Sequence, residues 1–398
     1  MNLDLLFAIL FYGVIVLIFF KTRDKWEVQA RIIALYKTKI GLKLMDKIAN
    51  RFPRFMKYFG YTGIFFGFTG MLLIAFSLVK WTIELIFIEG AVPQIAPVLP
   101  GVKIPGLPVL GFWHWVIAIF IVATVHEFSH GVIARLYKLR VKSSGFGFIG
   151  PILLAFVEPD EKQVSKASKT AQLSMFSAGP YSNLILGALF SLLFLFIISP
   201  IQGNLFVVDK LTVDNFTAGL PAESSGLKLP FEIISLNGEK VVGSSINSLE
   251  KMFNEIKPEN TVILNTDQGE FIIKAVKDEK SNRGLIGINI NLQTKIRQGY
   301  NESLGKVFNW FQLLIMWLGM VNIGVGLFNL LPLGPVDGGR MFYSLLLGIT
   351  KDEKKSRKIW SFVSFILLLL IFINLLPWLA KLLPWISKFF SFLIGLIF

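Results

Sequence analysis

Six mostly apolar runs of about twenty residues recur along this 398-residue chain, and each is long enough to cross a hydrocarbon core at 1.5 Å per residue. They lie at about 2–20, 61–87, 112–137, 173–199, 307–331 and 359–376. Apolar residues make up 54% of the chain and charged residues 17%, where about 25% is usual. A soluble fold cannot bury that much apolar surface, so the chain reads as a polytopic α-helical membrane protein. The net charge of +14 collects in short segments beside the runs. That placement orients membrane helices and gives no sign of a nucleic-acid partner. There is no cysteine, so disulfides, thiolate metal sites and cysteine nucleophiles are excluded.

Residues 1–20 read as an uncleaved anchor with its N-terminus outside, because Lys21, Arg23 and Lys25 follow the apolar run. Residues 21–60 carry eleven Lys and Arg between Lys21 and Lys57. They are expected to lie along the inner membrane surface or to form a cytosolic helical linker. A helix over 61–88 leads outward. Residues 112–199 hold a span running inward, a Gly-rich inner stretch around Gly145-Phe146-Gly147, and a span running outward. That inner stretch is too apolar for a solvated loop and reads as a hairpin at membrane depth. Residues 304–340 return inward, and 341–398 form C-terminal transmembrane and interfacial helices. The tail from Pro377 suits a helix in the interface, with a seventh span as the alternative. All short basic loops then fall on one side.

Between the fourth and fifth spans, residues 202–297 have the composition of a small soluble α+β domain outside the membrane. Val262 to Lys274 reads as two strands around a polar turn, and Ser248 to Ile256 as a short helix with Ser248 as its N-cap.

The chemistry concentrates in His126-Glu127-Phe-Ser-His130, inside the third run. On a helix, residues i and i+4 share a face, so both imidazoles can bind one Zn2+ while Glu127 reaches the water that the ion activates. Two of the chain's three histidines and a Glu within an apolar helix are costly unless something uses them. A polar patch that only glues helices together is the structural alternative. A catalytic zinc needs a third protein ligand. Asp337, in Asn329-Leu-Leu-Pro-Leu-Gly-Pro-Val-Asp337-Gly-Gly, lies at similar depth, whereas Glu84, Glu158 and Asp160 are weaker candidates. His114, between Trp113 and Trp115, reads as a structural interface residue.

HEFSH in one span, with NLLPLGPVDGG closing a later one, resembles the site-2 protease family of intramembrane zinc metalloproteases. The resemblance covers about residues 112–340. It implies one zinc per chain held by His126, His130 and Asp337, with Glu127 as general base. It also implies substrate or transition-state contacts for Asn183, in Gly-Pro-Tyr-Ser-Asn183, and for Asn329. Gly145, Phe146 and Gly147 look like the family's membrane hairpin, which can present an edge to an extended substrate. Val336 stands where the family usually has Leu. The stretches Gly219–Leu227, Ile233–Val241 and Arg283-Gly-Leu-Ile-Gly-Ile look like a PDZ domain, which takes peptides or C-termini by strand addition or serves as a size filter. The fold expected is therefore about six transmembrane helices with an inserted PDZ-like domain, in the cell membrane, with the site nearer the cytosol. Substrates would be transmembrane proteins. A zinc transporter or a catalytically silent PDZ-bearing scaffold are the alternatives. The spans outside the site carry almost no charge, which speaks against a transport path.

Overall fold

A computed structural model describes residues 3–29, 32–104, 106–150, 152–278 and 283–397, with side chains through residue 380. The chain divides into two units, Met1–Ser191 with Leu313–Phe398, and Leu192–Gln312.

The first unit opens with α1 (Leu3–Lys21), then β1 (Trp26–Gln29), β2 (Ile33–Thr38), α2 (Leu42–Arg51), α3 (Pro53–Phe87) and α4 (Phe112–Leu136). The hairpin β3 (Val141–Ile149) and β4 (Ile152–Pro159) follows, then α5 (Glu161–Lys166) and α6 (Lys169–Leu193). Among the described residues, six helical stretches are long and apolar enough to cross a membrane: Asp4–Lys21, Pro53–Phe87, Phe112–Leu136, Lys169–Leu205, Glu302–Asn329 and Glu353–Ala380.

The four strands form one antiparallel sheet in the order β1-β2-β3-β4. Part of the basic segment 21–60, expected to lie on the membrane surface or as a helical linker, is thus strand. Ile33–Thr38 pairs residue by residue with Ile149–Ser144. Glycine explains this. A Cβ on Gly145 would overlap the Tyr36 carbonyl oxygen, and one on Gly147 would stand 2.5 Å from that of Ala34. With no side chains there, the β2 backbone can approach β3.

Helix α3 packs through a stripe of buried glycines, Gly60, Gly63, Gly67 and Gly70. A Cβ on Gly60 would lie 2.9 Å from Ser174 Oγ, and one on Gly63 would lie 3.0 Å from Ser177 Oγ. Such small residues let α3 and α6 approach closely where no hydrophobic force drives association in lipid.

The second unit contains α7 (Ser199–Leu205), β5 (Phe206–Phe216), β6 (Phe231–Leu236), β7 (Glu239–Lys240), α8 (Ile246–Asn254), β8 (Thr261–Thr266), β9 (Gly269–Lys274), β10 (Val276–Lys277), β11 (Gly284–Leu285) and β12 (Ile288–Ile296). Its main sheet runs β12-β5-β6-β8-β9, with β7 on β6. Alternation along β8 buries Val262 and Leu264 and turns Thr261 and Ile263 outward. These join Leu211, Ile233, Leu236 and Leu249 in one core. The cap of α8 is Ser245, three residues before the Ser248 expected from sequence, and its hydroxyl accepts the Ser248 N–H at 3.1 Å.

The chain then returns to the first unit along α9 (Glu302–Asn329), and α10 (Asp337–Thr350) and α11 (Glu353–Ile397) complete it. Helix α11 passes Pro377 without a break, so the tail expected as a separate interfacial helix is one with the sixth span.

Candidate metal centre

His126 and His130 project from the middle of α4, one turn apart, with ring centroids 4.8 Å apart. Asp337 arrives from elsewhere in the chain, at the first position of α10. The turn between α9 and α10 brings it there. Pro332 and Pro335 stop the helix. Gly338 packs on the Leu330 carbonyl group and Gly339 on that of Leu333, where any Cβ would overlap. The result is a shared contact: Asp337 Oδ2 lies 2.9 Å from His126 Nε2 and 3.2 Å from His130 Nε2. All three ligand atoms fall within 4.8 Å of one another.

The third wall is α6, and its residues repeat every fourth position. The Met175 carbonyl accepts from His130 Nδ1 at 2.6 Å. Four residues on, a Cβ at Gly179 would overlap His130 Nε2 and stand 2.6 Å from His126 Nε2. Four further, the Asn183 amide meets His126 Nδ1 at 3.1 Å. Positions i, i+4 and i+8 share one helix face, so α6 runs past the two imidazoles, and Gly179 leaves a gap opposite their Nε2 atoms.

The donor set fits zinc. Two neutral imidazoles and one carboxylate, with a fourth position left open, are what a catalytic site presents. Ligand atoms about 2.0–2.2 Å from one tetrahedral ion stand roughly 3.3–3.5 Å apart, a few tenths of an ångström beyond the two Asp337 contacts and inside the 4.8 Å that bounds all three atoms. The space that Gly179 leaves beside both Nε2 atoms is where a side chain would otherwise intrude.

Glu127 follows His126 on α4, and its Oε2 accepts the backbone N–H of Val157 at 3.0 Å. Val157 belongs to β4, the outer strand of its sheet. Glu127 also borders a cavity of about 100 Å3 with Thr124, Ala155 and Phe156.

Other residues singled out by sequence sit elsewhere. Asn329 donates back to its own helix at Val325 O, 2.9 Å away, and no described hydrogen bond joins it to the ligands. Gly145, Phe146 and Gly147 lie in β3, paired on one side with β2 and on the other with β4. They have no free edge to offer, because β2 and β4 pair with the two sides of β3, and β4 is the outer strand on this side of the sheet. Phe146 stacks on Phe120 of α4, with centroids 5.5 Å apart. His114 is buried about 18 Å up the same helix from His126, counting 1.5 Å per residue.

The weaker ligand candidates are engaged as well. Glu84 pairs with Lys80 at 3.6 Å. Asp160 caps α5, accepting from the Lys162 and Gln163 N–H groups. Glu158 accepts from Ser143 Oγ at 2.7 Å and faces Lys37 Nζ at 3.2 Å. The Ser143 hydroxyl, with help from Lys37 and against the effect of burial, holds the Glu158 carboxyl below the usual range.

The sequence reading missed Gly179 and the Met175 carbonyl. The fourfold spacing of Met175, Gly179 and Asn183 was a usable signal, since it matches the spacing of His126 and His130.

A His-His-Asp cluster with a neighbouring glutamate, two of its ligands on a helix of membrane-spanning length, defines a metallopeptidase-type centre. Residues 114–371 match Peptidase family M50, and the chain belongs to that family. It is 29% identical over 358 residues to the uncharacterized protein MJ0971 of Methanocaldococcus jannaschii, covering 85% of each chain. It is also 24% identical over 292 residues to the zinc metalloprotease RasP of Geobacillus kaustophilus, covering 60% of this chain and 65% of RasP. The protein is thus a metalloprotease of the M50 family and an integral membrane protein.

Proposed function

We propose that this chain is an intramembrane endopeptidase of the site-2 type, which hydrolyses peptide bonds within transmembrane helices of other membrane proteins. One observation carries the reading: the His126, His130 and Asp337 ligand atoms converge, with Glu127 beside them, where α4, a helix of membrane-spanning length, meets the start of α10.

His126, His130 and Asp337 would hold one zinc, which supplies a Lewis acid that lowers the pKa of water and polarises the scissile carbonyl. Glu127 takes the proton from the attacking water and delivers it to the leaving amide nitrogen. Its Oε2 is occupied by the Val157 N–H, so Oε1 is the oxygen left for that proton. Gly179 keeps the space before the imidazoles clear.

A transmembrane helix hides its amides in internal hydrogen bonds, so the substrate must first be extended locally. The outer side of β4 offers replacement bonds. Val157 spends its outward N–H on Glu127, and in an antiparallel ladder Ala155 and Leu153 turn their backbone groups to the same side, away from β3, where a substrate can pair with them. An extended substrate laid along this edge would run beside Glu127. A larger polar cavity, which water can fill, lies beside the same strand. A cavity of about 670 Å3 lined by Lys37, Glu158, Asp160 and Arg340 shares Phe156 and Val157 with the smaller cavity at Glu127.

Residues 202–297 act as a PDZ-like module. Its β12 is an edge strand, the arrangement that takes a peptide or C-terminus by strand addition. The flanking basic segments orient this module outside the cell membrane and the catalytic residues towards the cytosol.

The test is Glu127→Gln with a transmembrane test substrate in liposomes. Cleavage should fall by at least about 100-fold, the usual contribution of a general base, while zinc stays bound. Undiminished cleavage overturns the mechanism. If the wild type binds zinc and cuts nothing, a catalytically silent scaffold becomes the better reading.

A further inference from the structure

Asn183 is fully buried, and one of its atoms has no partner. Its Nδ2 stands 3.1 Å from His126 Nδ1, and its Oδ1 is buried with nothing to accept from. The other ligand differs. His130 Nδ1 faces a carbonyl oxygen, that of Met175, at 2.6 Å. A carbonyl only accepts, so His130 Nδ1 carries the proton and its Nε2 lone pair is free for a metal. At His126 the facing group, in this orientation of the side chain, is an amide NH2, which only donates. An NH2 there demands a lone pair on Nδ1 and puts the proton on Nε2, the atom that lies 2.9 Å from Asp337 Oδ2. A protonated Nε2 cannot bind a metal.

The two ends of a carboxamide have nearly the same shape, and which is oxygen is decided by the hydrogen-bond network. Turning the Asn183 amide by half a turn brings Oδ1 to His126 Nδ1. That single rotation gives the buried oxygen a partner, turns the NH2 end to the side that Oδ1 occupied, and gives His126 the tautomer that His130 already has.

We infer that Asn183 is a positioning residue for the metal ligand His126: its Oδ1 accepts the Nδ1–H and so presents the Nε2 lone pair to the ion. This rests on the proposed zinc site and adds to it. The Asn183 side chain is committed to the ring and not to the substrate contact that the family resemblance implied. Partners of this kind set ring orientation and ligand basicity, and their loss typically costs about 10–100-fold in metal affinity.

Zinc affinity, read by competition with a chelating dye in detergent, tests this apart from peptidase activity. Asn183→Leu keeps the approximate shape and removes the acceptor, and zinc should dissociate about 10–100-fold more readily. Asn183→Asp restores an acceptor oxygen and should stay close to the wild type. Melting of the metal-free proteins separates the effect from misfolding. An Asn183→Leu protein that folds and binds zinc like the wild type overturns the inference. So does an Asn183→Asp protein that loses affinity, which would mean that the NH2 group mattered; this arm stands even if the leucine variant does not fold. A wild type that binds no zinc defeats the zinc-site reading itself, an outcome distinct from either.

Discussion

The carboxylate of Glu127 is tied to the backbone N–H of Val157 at 3.0 Å, so the catalytic helix α4 and the outer strand β4 meet at the general base. The bond leaves the sheet intact, because Val157 directs this N–H away from β3. Replacing Val157 with proline removes the donor where an outer strand tolerates its loss. A hydrogen bond to a charged group is worth about 1.5–3 kcal/mol, or roughly 10–100-fold. Val157→Pro should lower turnover of a transmembrane substrate by about that factor with zinc content unchanged. Full activity would show that Glu127 needs no such anchor.

Gly179 stands where the imidazoles leave room for an ion. In Gly179→Ala the methyl group would overlap His130 Nε2 and crowd His126 Nε2. Zinc affinity should fall by about 100-fold or more, the upper end of what changes behind metal ligands cost. Metal analysis of the purified variant reads this directly, and zinc occupancy equal to the wild type would count against the site.

Asp337 is the only ligand supplied from outside α4. Asp337→Ala leaves two imidazoles, too few for a tight tetrahedral site. Zinc should be lost on gel filtration and peptidase activity with it. For the wild type, dialysis against a chelator should abolish cleavage and added zinc should restore it. Cleavage that survives chelation would remove metal from the reaction.

At the rim of β4, pH should act through Glu158. Its folded-state pKa is lowered, first by the Ser143 hydroxyl and then by Lys37. A lowered carboxylate stabilises the fold above its unfolded pKa of about 4.3 and loses that contribution as pH falls through the folded value. For a partly exposed pair the amount is about 1 kcal/mol or less. Melting of Glu158→Gln should therefore lie slightly below the wild type at pH 7 and converge with it in acid. A gap that widens on acidification would have the wrong sign.

The HEFSH pairing, the six spans and the soluble-like insert were legible in the chain because each follows from local periodicity: 3.6 residues per turn places His126 beside His130, and alternation over Thr261–Thr266 marks a strand. Asp337 was legible because prolines and glycines around it announce a turn. The segment Ile33–Thr38 was not, since a short mixture of apolar and basic residues suits an interfacial helix as well as a strand. Only pairing with β3 selects the strand, and that pairing displaced Gly145, Phe146 and Gly147 from the edge assigned to them.

By itself, the amino-acid order determined which residues bear chemistry and which stretches can live in lipid. The tertiary structure decided what those residues touch: Asn183 a ligand ring, Glu127 a strand edge, Glu158 a serine and a lysine. The reason is physical. Propensity and periodicity act over a few neighbouring residues, whereas these contacts span 15 to 121 positions along the chain and depend on how closely glycines let separate backbones approach.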